Sequence, residues 1–385
     1  VPRRDRTTVG AARAVVALTR LKPSQELLRA KGATTQAGFT AERIPARLFA
    51  RRPILIDDGP DHDEHRKQLV RFFSPRALEE RHRSSIEATA ETLVAEARSA
   101  GSARLDDLAL LFSVRVASDI VGLTASDTGA LARRLEAFFR QPPVDHTRDD
   151  HGRSRNDWAR AARDALVPLA SFYWRDVRPA IRARRKRPAD DIISHLLERG
   201  YRPREILMEC LTYGTAGMVT TREFISMVML RLHEAPALLA RYRIAEAAER
   251  TAILSEIIRL NPPVAHLYRR VQQQAPGCPY SAETLVDIDV HASNRDAEVF
   301  APDPESVCPE RNLAAAERSG LSFGDGAHRC PGSHLALLET DILVSALLRA
   351  GAAVEKLPRR EFDTLVQGYQ LRDFRISFSA QAAAP

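Results

Sequence analysis

A chain of 385 residues, 44% hydrophobic and 28% charged, can bury a large core and is not composed like a disordered or fibrous polypeptide. Its 57 Lys and Arg against 50 Asp and Glu give a net charge of +7, but the basic residues are dispersed along the sequence rather than striped with aromatics, which argues against a nucleic-acid partner. No apolar run approaches the roughly 18 to 20 residues that span a bilayer, and no stretch has signal-peptide form, so a cytoplasmic protein without a membrane partner is expected.

The chain begins at Val1 rather than a methionine, consistent with a leading segment outside this sequence. No linker or internal repeat divides residues 1–385, which are read as one catalytic unit. From Arg76 to Leu260 apolar residues recur mostly every three or four positions, predicting successive amphipathic helices, with one long helix over Thr212 to Leu232. Pro262 and Pro263 break the pattern, and the alternation from Thr284 to His291 predicts a half-buried strand. A meander rich in Pro, Gly, Ser and Asp follows from Pro302 to Gly326, and the helical period returns over Ser333 to Ala350. The expected fold class is therefore mainly α with a smaller β region.

Cys210, Cys278, Cys308 and Cys330 are too few and too scattered for a disulfide framework. The first three are read as small packed hydrophobes. Cys330 differs, because it ends the loop Phe323-Gly-Asp-Gly-Ala-His-Arg-Cys-Pro-Gly332. Gly324, Gly326 and Gly332 let the backbone approach something flat and bulky, and a helix beginning just behind the cysteine aims N–H groups at its sulfur, favouring thiolate. On the residues alone two other readings stand: a buried small hydrophobe, or a zinc site using His328, Cys330 and His334.

The loop fills every fixed position of F-G-x-G-x-H-x-C-x-G and so resembles the haem-binding signature of the cytochrome P-450 superfamily. The resemblance extends over essentially the whole chain. Glu256-Ile-Ile-Arg259 looks like the family's E-x-x-R helix, and Asn294-Arg-Asp296 with Phe300-Ala-Pro-Asp-Pro304 looks like the segment that follows it. Ser306 and Val307 stand where basic and aromatic residues are common, so the family's Glu-Arg-Arg lock is expected to be incomplete. The resemblance implies the P-450 fold, an α prism holding haem b (iron protoporphyrin IX) between the long distal helix and the cysteine loop. It implies Cys330 as axial iron ligand, with Phe323, Gly324, Gly326 and Gly332 shaping the loop, and His62, Arg66, Arg270 and His328 on the haem propionates. Buried carboxylates need such charge-assisted hydrogen bonds to offset their desolvation.

Ala216-Gly-Met-Val-Thr-Thr221 looks like the family's segment over the distal haem face. There Ala216 and Gly217 make room, and the Thr220 hydroxyl hydrogen-bonds dioxygen and helps deliver protons. Val219 occupies the position usually held by an acid and cannot relay a proton; Glu223, one turn on, is a substitute read from its spacing alone, beside a plain ion pair with Arg222. Val219, Val264, His266 and Tyr268 are expected to line the substrate pocket. The activity so implied is O2-dependent oxidation of a small organic molecule, a specialised metabolite, by hydroxylation or epoxidation, with electrons from a ferredoxin and ferredoxin reductase. Val219 leaves open a peroxide-using or coupling enzyme, and a remoter alternative is a non-catalytic haem sensor.

Overall fold

The computed structural model describes residues 15–38, 42, 51–272, 279–315 and 317–378; Cys278 lies outside the described residues. The predicted long helix is Pro203–Glu234, 32 residues and about 48 Å at 1.5 Å per residue. It starts nine residues earlier than the apolar period suggests, because Pro203 opens its first turn and the Glu205 carboxylate accepts from the Arg202 backbone N–H. Against it lie the helices Leu105–Val121, Ala247–Leu260 and Ser333–Arg349. Leu105–Val121 is apolar nearly all round and accordingly buried nearly all round. It ends at Gly122 in the left-handed region, where a Cβ would also strike the Asp191 carboxylate. Side chains of these four helices make most of the main apolar core, with Phe112, Phe224, Ile257 and Leu343 at its centre.

The β region is small. Strands β1 (Val15–Leu18), β2 (Thr34–Gln36), β4 (His266–Val271) and β5 (Leu285–Asp289) form one sheet in the order β1-β5-β4-β2, and β3 (Ser102–Arg104), β9 (Arg375–Phe378) and β6 (Ala352–Lys356) form a second. Strands β7 (Arg359–Asp363) and β8 (Gly368–Arg372) make a hairpin. The predicted strand at 284–291 is β5, cut short at its end because Asp289 accepts from Ala292 N–H and starts a helical turn. A second apolar cluster, including Leu28, Val271, Ile288, Phe300 and Leu321, ties the first sheet to the helix Leu21–Arg29 and to the loop leading toward Cys330.

Candidate haem site

The cysteine loop is built from local hydrogen bonds and steric necessity. Cys330 N–H donates to the Phe323 carbonyl at 2.7 Å, and Gly324 N–H to that of Leu321 at 2.8 Å. Gly326 adopts positive φ, and a Cβ there would overlap the Leu28 carbonyl oxygen, so only glycine closes the loop on the first helix. Asp325 fastens the same contact through its 2.8 Å ion pair with Arg29. Gly332 caps the helix Ser333–Arg349, as the sequence predicts, and a Cβ on it would lie 4.0 Å from the Cys330 sulfur. Desolvation pushes the Cys330 thiol above its ordinary pKa, while the Gly332 N–H and the charges of Arg66 and Arg329 favour the thiolate.

Beside the loop lies a cluster of cationic and imidazole side chains. His62, on the helix Pro60–Leu69, stacks on His328 with ring centroids 4.4 Å apart and planes at 28°. His328 Nε2 is 2.9 Å from Asp58 Oδ1, and Gln36 N–H donates to the other Asp58 oxygen at 3.0 Å. Burial opposes the charge of Asp58, yet these bonds outweigh it and hold its carboxyl below the usual range. Arg66 donates to the Arg329 carbonyl. Two buried nitrogens of this group, His62 Nε2 and one terminal nitrogen of Arg269, have no hydrogen-bond partner among the described residues.

Arg270 is not part of the cluster. Its guanidinium pairs with Glu42 at 2.8 Å and donates to the Glu283 carbonyl, and along β4 it points to the face opposite Arg269. Arg269 is the buried cation here: desolvation lowers it to about 10, partly offset by Asp58. A one-residue shift along a strand exchanges faces, and the spacing alone did not settle which arginine faces inward. The set His62, Arg66, Arg269 and His328 carries more donors than Asp58 can use, with two of them orphaned. Such a donor set fits a group bearing two carboxylates, as haem does.

The long helix is buried over most of its surface except at a window where Ala216 is exposed and Gly217 and Thr220 are half-buried. The Thr220 hydroxyl donates to the Ala216 carbonyl at 2.6 Å. Tyr213, one turn earlier, is buried with its hydroxyl unpartnered and lies near enough to Arg66 and Cys330 to respond to their charges, which brings this stretch of helix to the cysteine and the cations. Val219 is buried in the packing of the helix rather than in the window.

Glu223 is buried and paired. Its Oε1 pairs with Arg222 at 2.9 Å and Arg372 at 2.7 Å, and its Oε2 accepts from Leu371 N–H at 2.8 Å, so the carboxylate is buried and fully used in fastening the long helix to β8. His266 and Tyr268 share one face of β4 with Arg270. His266 is held by Asp287 at 2.9 Å, and Tyr268 stacks on His146 with centroids 4.9 Å apart. They face the 142–153 segment, not the side of Arg269 and His328. Val264 is half-buried beneath Gly368, whose missing Cβ leaves room for the backbone at Pro263 and Val264.

The Glu-Arg-Arg lock is complete. Arg259, fully buried, makes a two-point pair with Glu256 at 2.7 and 2.8 Å and donates to the carbonyls of Asn294, Pro304 and Ser306. The third member is Arg311, whose Nε donates to Glu256 Oε2 at 3.1 Å while its other nitrogens bond the carbonyls of Phe300, Ala301, Asp303 and Ser306. Sequence reading missed it because the meander's length places it a few residues beyond Ser306. These bonds satisfy the carbonyls of a structureless segment and fix its exit toward Phe323.

Among proteins of known sequence, a family model described as Cytochrome P450 matches residues 250–350. The erythromycin C-12 hydroxylase of Saccharopolyspora erythraea is 29% identical over 301 residues, covering 76% of this chain and 71% of its own. The pentalenic acid synthase of Streptomyces avermitilis is 27% identical over 371 residues, covering 92% and 84%. Among solved structures, a mutant of P450 EryK in complex with erythromycin B superposes with a TM-score of 0.77 at 24% identity, over 96% of this chain and 92% of that one. CalO2 gives 0.76 at 24% identity, over 97% and 94%. Sequence signature, donor set, fold and relatives agree: the chain belongs to the cytochrome P450 family of the bacterial type, whose cofactor is haem b.

Proposed function

We propose that residues 1–385 form a cytoplasmic haem-thiolate monooxygenase that oxidises a small specialised metabolite, with Cys330 as the iron ligand. The observation that carries this is the Cys330 loop, closed on Leu28 by Gly326 and backed by the Gly332 helix start, beside a buried cation cluster with orphaned donors. Bound haem supplies activation of dioxygen with two electrons and the oxidation of a C–H bond, and a thiolate ligand favours O–O cleavage.

The protein's own part is to bind, orient and supply protons. Gly332 N–H, Arg66 and Arg329 stabilise negative charge on Cys330. Arg66 and Arg269 would neutralise the two carboxylates, with His62 and His328 as further hydrogen-bonding groups beside them. Ala216 and Gly217 leave space, and Thr220, whose hydroxyl proton rests on the Ala216 carbonyl, keeps lone pairs free to accept a proton and pass its own onward. With Val219 apolar and Glu223 consumed, the proton reaching Thr220 comes from water or a substrate hydroxyl. A ferredoxin with its reductase supplies the electrons; relatives named as hydroxylase and synthase of microbial products support the substrate class.

A second reading, with peroxide as oxidant, is favoured by the same loss of a distal acid. Turnover with peroxide alone, against turnover with a ferredoxin system and O2, separates the two. The thiolate assignment is tested by Cys330→Ser: the red-shifted carbon monoxide band of the reduced protein should disappear, and its persistence would refute the assignment.

A further inference from the structure

A helical run on the opposite chemistry from the haem site carries an exposed apolar and cationic stripe. The helix Arg155–Phe172 continues through a π turn, Tyr173–Val177, into the helix Arg178–Lys186. Stepping by four along it gives Leu166, Ala170, Trp174, Arg178, Arg182 and Lys186, one above another on a single face. All but the half-buried Arg178 are exposed: Leu166 by 61%, its neighbour Val167 by 63% and Trp174 by 58%. Arg178 lies over the Trp174 ring at 4.6 Å.

The cations are free. Several surface arginines of this chain are paired, as in Arg76–Glu80, Arg83–Glu79 and Arg163–Asp164. Among the described residues, Arg175, Arg182, Arg185, Lys186 and Arg187 have no ion-pair partner. Nearby acids are engaged otherwise: Asp176 points into the core to Arg134, Asp191 binds Arg184, and Asp190 binds Arg81. An open pocket of about 410 Å³ lies against the same π turn, lined by Tyr173, Arg202, Pro203, Arg204 and Leu207. The charge is local to one run of the chain, Arg175 to Arg187, which the helix and its end present to solvent.

We infer that this stripe is a docking surface for an anionic lipid bilayer, on which the protein lies reversibly. Exposed apolar side chains and a tryptophan, followed by a block of unpaired Lys and Arg, match the chemistry of the membrane interface: the ring and aliphatic groups enter the headgroup boundary while the cations meet lipid phosphates. A second copy of this chain would set cation against cation, whereas an anionic bilayer complements both the charge and the exposed apolar groups. Among the described residues no helix is long and apolar enough to cross a membrane, and the stripe needs none, since it lies on the bilayer and does not span it.

The test uses the full chain with Trp158→Phe, which leaves Trp174 as its sole tryptophan. With phosphatidylglycerol–phosphatidylcholine vesicles at low salt, the protein should sediment with the lipid and Trp174 emission should shift to the blue; both effects should fade as salt rises and be absent with phosphatidylcholine alone. Reversing three charges (Arg182→Glu, Arg185→Glu, Lys186→Glu) should weaken partition about a hundredfold or more, with the melting temperature showing that the fold is kept. Failure to bind anionic vesicles, equal binding to neutral ones, or undiminished binding of the reversed variant overturns the inference. Binding to polyglutamate without binding to vesicles would also overturn it and assign the face to an acidic protein.

Discussion

At the scale of single residues, two neighbours on β4 divide the work that one was expected to do. Arg269 is desolvated and has a nitrogen to spare, whereas Arg270 is spent on Glu42. Arg269→Leu is expected to lower haem affinity about tenfold or more, the scale of one charge-assisted hydrogen bond, while Arg270→Leu leaves it near the parent value; haem titration of the apoprotein compares them. Glu223 is read in the same way. Because its carboxylate joins Arg222, Arg372 and the Leu371 N–H, Glu223→Gln should cost about 3 kcal/mol of stability, as for a broken buried pair. Coupling of electron use to product should remain as in the parent. A variant of unchanged melting temperature with poor coupling would return Glu223 to the proton path.

Arg269 and Glu223 show where reading the sequence stopped. Residue type and approximate position were legible in both cases, because cations near E-x-x-R and an acid near the distal threonine stand out. Which way each side chain points was not, since it depends on strand register and on partners 148 to 228 positions away. Arg311 was missed for a related reason: Glu256 lies 55 positions away, and its other partners are backbone carbonyls, which leave no mark in the sequence.

At the scale of elements, the meander between Phe300 and the cysteine loop has no regular ladder to satisfy its carbonyls and relies on two arginines instead. Arg311→Leu removes one charge from a buried pair and strands several carbonyl groups, so a loss of about 3–5 kcal/mol is expected, read from denaturant unfolding. The defect should spread to the loop it leads into, lowering haem retention as well. Arg311→Lys should rescue little, because a point charge cannot reproduce the planar fork that reaches Glu256 and the carbonyls together. Stability near the parent value in Arg311→Leu would show that the lock does not hold the meander.

At the scale of the whole molecule, the long helix buries a second polar group that no motif announced. Glu209 accepts from Ile54 N–H at 3.1 Å, faces His65 at 3.8 Å, and has its other oxygen unpartnered. Desolvation raises its carboxyl to about 8, against the helping Ile54 bond, and desolvation lowers His65 to about 4. The folded state thus keeps Glu209 protonated where the unfolded chain has already lost that proton. Its contribution is full below the unfolded pKa and declines as pH rises toward 8. His65 acts in the opposite sense, with stability lost as pH falls from about 6.5 to 4, so the two offset each other in acid and only the Glu209 decline remains above pH 6.5. Unfolding free energy is expected to drop by about 2 kcal/mol between pH 6.5 and 8, and Glu209→Gln should flatten that slope. A parent protein whose stability is level across this interval, or a variant that keeps the slope, would contradict the assignment.

By itself the sequence determined the elements and the chemistry that depends on neighbours in the chain: the helical period, the long helix, the cysteine loop with its glycines, and the identity of the E-x-x-R pair. Those follow from local spacing, where one residue's conformation and the next few positions decide the outcome. Tertiary structure alone decided that Arg269 and not Arg270 lies on the side of Asp58, where the third member of the lock comes from, that Glu223 is paired, and that His266 and Tyr268 lie on the face of β4 opposite Arg269. Each of these is a matter of who lies opposite whom across sheet and helix contacts, and the charge, burial and free valence of a side chain are set by that company.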